Sequence, residues 1–111
     1  MYDIQVKNMK VYKGNEPYDL KVDRSSVLGN KFFMNNESER DRVCEKYAEW
    51  LETKIISKDE NIMNELYKLY DTYQMYNQLN LLCWCSPKRC HADYIKKVII
   101  RALECVDGGK I

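Results

Sequence analysis

The chain has 111 residues, enough for one domain with a buried core and too few for a separate cofactor or lid domain. Its 18 basic and 17 acidic residues leave a formal charge of +1, which excludes a broad positive field that would drive non-specific binding to nucleic acid or anionic lipid. No apolar run approaches membrane-spanning length, and residues 1–10 lack the zones of a signal peptide, so a single cytoplasmic domain over 1–111 is expected, with no membrane partner.

Ile4, Val6, Met9, Val11 and Tyr12 lie in a mostly alternating segment that suits a first strand, closed by the turn residues Lys13-Gly14-Asn15-Glu16-Pro17. Tyr18 to Asp23 alternates again and reads as a short second strand with Tyr18, Leu20 and Val22 on one face. A polar loop, Arg24 to Phe33, follows, holding a Gly29-Asn30 pair ahead of two aromatics.

Ser38 and Asp41 resemble a helix cap, and Val43, Tyr47, Trp50 and Leu51 then recur near a 3.6-residue period, with Cys44, Ala48 and Ile55 widening the face. Ser57 to Glu60 reads as a capping box for a second helix with a stripe of Ile62, Leu66, Leu69 and Tyr73. Tyr67, Tyr70, Tyr73 and Tyr76 recur every third residue, a spacing that drifts around a helix and divides between core and surface. Leu79 to Trp84 is a third strand. The last helix, Ala92 to Val106, carries Ile95, Val98, Ile99, Ala102, Leu103 and Val106, and Gly108-Gly109 stops it.

The expected fold is therefore a small α/β domain, a mostly parallel sheet in two or three layers with about three helices, in the order β-β-α-α-β-α. The last strand is expected to pair in parallel with the first through helical crossovers.

Between that strand and the last helix, three of the five cysteines and the only histidine fall within nine positions. A strand emptying into a polar loop and a helix start is where open α/β sheets place ligands. In extended backbone Cys83 and Cys85 would share a side, with Trp84 packing toward the helices. Cys90 and His91 fall near the helix start, where backbone N–H groups, Lys88 and Arg89 favour a thiolate at Cys90, unless Ser86-Pro87 starts the helix earlier. Four uses compete: a catalytic or anion-binding site, zinc held by Cys83, Cys85, Cys90 and His91, a Cys-x-Cys redox pair, and plain packing. Zinc sites usually take two separated ligand pairs, and Cys-x-Cys closes only a strained ring, so a ligand site without a metal cofactor is preferred and zinc is the alternative.

Three motifs then carry a resemblance: Arg24-x-Ser26-x-Leu28-Gly29-Asn30 with Phe32, Tyr47-x-x-Trp50-Leu51, and Cys83-Trp84-Cys85-x-Pro87-x-x-Cys90-His91-x-Asp93. Over most of its length the chain resembles the family called domain of unknown function 4326, a phage and bacterial group. Lys31 stands where the first motif has Pro, and Ala92 where the third often has Gly. The resemblance implies a small α/β domain and a phage-type origin, and no established reaction.

Together these readings give the expected site. Arg24, Ser26, Asn30, Cys83 and Cys85 are its ligand-binding residues, Arg24 pairing with a phosphate or carboxylate and Asn30 orienting a polar group. Arg40 is a possible addition. Cys90, His91 and Asp93 are its candidate catalytic residues, His91 as a proton shuttle near neutral pH and Asp93 fixing its tautomer or serving as base. The expected ligand is nucleotide-like or another phosphate-bearing small molecule. The competing expectation is a non-enzymatic phage factor that docks on a host protein.

Overall fold

A computed structural model describes residues 2–105. The expected stop at Gly108-Gly109, and Val106, lie outside the described residues. Three strands, β1 (Ile4–Asn8), β2 (Asp19–Lys21) and β3 (Leu79–Cys83), and three helices, α1 (Arg40–Ile56), α2 (Glu60–Tyr76) and α3 (His91–Leu103), follow in the expected order. The sheet order is β1-β3-β2, and both pairings are parallel.

β3 is central because it is apolar enough to be buried on both faces, and all five of its residues are. Leu79, Leu81 and Cys83 join the core that Tyr47, Leu51, Leu66, Leu69, Ile95, Val98 and Ile99 supply from the helices. On the opposite face the Asn80 side chain donates to Asp19 Oδ1 at 2.8 Å. Leu82 there packs so close to Gly14 that a Cβ on that glycine, which sits at φ +75°, would lie 2.6 Å from Leu82 Cδ1. Residues 9–18 thus form the crossover from β1 to β2 and cover that face without a helix. The fold has two layers, the sheet and the helices on one of its faces, with this strap covering the other.

Several boundaries differ from the sequence reading, each for a local reason. β1 stops at Asn8, whose carbonyl accepts from the N–H groups of Val11 and Tyr12, so the chain turns away and leaves Val11 87% exposed. Asn36, not Ser38, caps the first helical segment, accepting from the Ser38 N–H at 3.1 Å ahead of a short 3-10 turn, Glu37–Glu39. Ser57 closes α1, while the carboxylate of Asp59 caps α2 by accepting from the Ile62 N–H at 3.1 Å. Cys90 is the residue before α3, so Ser86-Pro87 does not start that helix.

Because all three strands are parallel, their carboxyl ends share one edge. That edge carries Asn8, the exit from β2 into Val22, Asp23 and Arg24, and the exit from β3 into residues 84–90. Two of the three motifs therefore leave the sheet side by side.

Candidate functional site

The loop after β2 owes its shape to its own motif. Ser26 Oγ accepts from the Leu28 N–H at 3.0 Å, and Asn30 Oδ1 accepts from the Phe32 N–H at 2.9 Å. Gly29 lies against the strand exit, where a Cβ would fall 2.4 Å from the Asp23 carbonyl oxygen. The second motif supplies the anchor beneath: buried Tyr47 donates its hydroxyl to the Leu28 carbonyl at 2.6 Å.

The third motif closes the other wall. Its residues 84–90 are tied to β1, since the Asn8 amide donates to the Ser86 carbonyl at 2.8 Å. Arg40 forks onto Glu37 at 2.8 and 2.7 Å and also donates to the Arg89 carbonyl at 2.8 Å, joining the start of α1 to this loop. Arg89 pairs with Asp41 at 2.9 Å and Lys88 with Glu37 at 3.3 Å.

Between the walls lies a cavity of about 560 Å³. Of the expected residues it brings together Arg24, Asn30, Cys85, Cys90 and His91, with Arg40 added. Phe32, Phe33, Trp84 and Arg89 complete the aromatic and basic lining that the sequence reading did not assign to it. Ser26 instead lines an adjoining cavity of about 530 Å³ that shares Arg24, Asn30 and Phe33 with the first and adds Lys31, Trp50 and Lys54. Cys83 lies buried behind the lining. Asp93 is not part of the lining either; its carboxylate accepts from the Cys90 N–H at 3.0 Å and caps α3.

Three expectations change here. Trp84 does not pack toward the helices: β3 ends one residue earlier, and the indole is 52% exposed, donating to Asp23 Oδ2 at 3.0 Å. The close partner of Cys83 is Cys90, whose thiol donates to the Cys83 sulfur with the two Sγ atoms 3.6 Å apart. That contact, then the Cys85 and Ser86 backbone N–H groups, pulls the Cys83 thiol well below its ordinary value despite burial. The same contact, with burial, pushes Cys90 up, so of the two thiols Cys83 is the more readily ionised, the reverse of the sequence expectation.

The third concerns His91. The ring is buried, its Nε2 hydrogen-bonds the Val22 carbonyl, and it meets Tyr47 edge-on with centroids 5.0 Å apart. Burial lowers its pKa below the ordinary 6.5, outweighing the Val22 carbonyl, so the imidazole is neutral near pH 7 with Nε2 as donor. It pins the exit of β2 to the start of α3 rather than facing solvent as a shuttle.

Charge at the cavity is unevenly satisfied. Burial raises the Asp23 carboxyl, but hydrogen bonds from Ser25 and Trp84 outweigh it and keep the group ionised below its ordinary value. Arg40 and Arg89 already hold carboxylates. Arg24 lies over the Phe33 ring at 4.3 Å and, among the described residues, has no carboxylate within ion-pair distance. Among the described residues no three His, Cys, Asp or Glu side chains are grouped to hold a metal ion, and no helix is long and apolar enough to cross a membrane.

No curated protein and no solved structure matches the chain. A family model does match, over residues 4–101, a span that runs from β1 almost to the end of α3 and includes all three motifs. The chain belongs to the family described as Domain of unknown function (DUF4326).

Proposed function

We propose that the protein binds a nucleotide-like or other phosphate-bearing small molecule in the cavity at the carboxyl edge of its sheet. The observation that carries this reading is Arg24, a guanidinium without a carboxylate partner among the described residues, lying 4.3 Å over the Phe33 ring and lining the same cavity as Trp84 and Cys90. An unpaired, preorganised fork suits a phosphate, and exposed aromatic faces suit a base. The edge itself is where parallel sheets bind ligands, in the crevice outside the strand ends. The reading is one of binding, with no reaction assigned.

Thermal unfolding in the presence of inorganic phosphate, pyrophosphate and nucleoside mono-, di- and triphosphates tests it. A ligand at about 100 times its Kd stabilises the folded chain by about 2.7 kcal/mol, a readily measured rise in midpoint. The rise is expected for at least one phosphate-bearing compound and is lost in Arg24→Ala. No rise with any of them contradicts the proposal.

A further inference from the structure

We propose that Cys83 and Cys90 form a redox-active dithiol at the floor of the cavity, closed to a disulfide by a hydroperoxide and reopened by a dithiol reductant. The two sulfurs stand 3.6 Å apart, against about 2.05 Å in a disulfide, so a small side-chain movement suffices. Both thiols sit on fixed backbone. Cys83 ends the central strand in register with Asn8, and Cys90 is held at the start of α3 by the Asp93 carboxylate at 3.0 Å. Only Cys90 of the pair lines the cavity, which gives a small oxidant its route.

In the singly deprotonated pair one proton lies in the hydrogen bond from Cys90 to Cys83. Moving that proton from Cys90 to Cys83 puts the thiolate on the sulfur that faces the cavity, where the Ala92 N–H at the helix start supports it. The Cys90 sulfur then attacks the terminal oxygen of the hydroperoxide. An S–O bond forms, the O–O bond breaks, and the departing alkoxide or hydroxide takes a proton from water, leaving Cys90 as sulfenic acid. The Cys83 sulfur attacks Cys90 next. The S–S bond forms, the S–O bond breaks, and hydroxide leaves with the Cys83 proton as water. The two sulfurs lose two electrons in total and the peroxide gains them.

Neither neighbour competes on the same terms. Burial pushes the Cys44 thiol up, and Cys85 faces the Arg40 guanidinium rather than another sulfur. Sequence spacing suggested Cys83 with Cys85, but the fold selects the pair separated by the whole 84–89 loop.

The test uses the full chain treated with equimolar hydrogen peroxide, alkylated, and measured by intact mass and tryptic mapping. The expected product has lost two hydrogen atoms and two of its five titratable thiols, and joins fragment 69–88 to fragment 90–96. Because 69–88 holds both Cys83 and Cys85, the same map in Cys85→Ser assigns the bond; it persists there and is reversed by dithiothreitol. An intact mass that keeps its hydrogens, or a cross-link that disappears in Cys85→Ser, overturns the proposal. The Cys85→Ser map decides the matter even where Cys83→Ser or Cys90→Ser fails to fold.

Discussion

The hydroxyl of Tyr47 donates to the carbonyl of Leu28 at 2.6 Å, with both side chains fully buried, and so joins the first motif to the second across 19 residues of sequence. Replacing the donor strands a buried acceptor. Tyr47→Phe is therefore expected to cost about 1–3 kcal/mol in urea unfolding, while keeping the aromatic volume in the core. A loss within experimental error of zero would mean that water replaces the hydroxyl.

Gly29 gives a second, purely steric prediction. In Gly29→Ala the new methyl would meet the Asp23 carbonyl oxygen at 2.4 Å and Arg24 Cα at 2.6 Å, contacts that only backbone movement relieves. The expected cost is about 1–3 kcal/mol, read as a lower melting midpoint, together with weaker ligand binding because the strand exit carrying Arg24 must shift.

Stability should fall in mild acid because of His91. Its folded pKa lies below the unfolded value of about 6.5, so the unfolded chain binds the proton more readily. The contribution is fully present above about pH 6.5 and declines as pH falls through the folded value. Urea midpoints for the wild type are expected to drop between pH 7.5 and pH 5.5 more steeply than for His91→Gln, which keeps a donor and cannot titrate.

Much of this architecture is readable in the sequence. The order β-β-α-α-β-α, the parallel pairing of the last strand with the first, and the apolar stripes of all three helices follow from periodicity, because burial on one face imposes it. Two helix caps differ from the sequence reading by two residues, where several Ser, Asp and Asn side chains compete: Asn36 against Ser38 and Asp59 against Ser57. Asp93 reads in the sequence as a partner or base for His91, although its spacing of three from Cys90 is that of a capping box, and the cap is what it forms. The site was harder. Arg24, Asn30, Cys85, Cys90 and His91 do meet, yet pairing of Cys83 with Cys90, and the roles of Phe33 and Arg89, depend on how two loops fold over one edge. Local spacing carries no such information.

Trp84 separates binding from folding. Its indole is half exposed and outside the core, and its N–H makes a solvent-exposed hydrogen bond to the Asp23 carboxylate, so Trp84→Ala should cost no more than about 0.5–1.5 kcal/mol of stability. If a base stacks there, the same variant loses about 1–3 kcal/mol of affinity in calorimetric titration. Equal affinity in both proteins would remove Trp84 from the ligand site.

The central claim is tested most directly by titrating the isotope-labelled protein with the phosphate compound that stabilises it most, and following two-dimensional nitrogen–proton spectra. The account predicts saturable shifts at the Trp84 indole, the Arg24 guanidinium and the backbone amides of Asn30 and Cys90, all absent in Arg24→Ala. Shifts confined to residues of α2, away from the cavity, or none at saturating ligand, would contradict it.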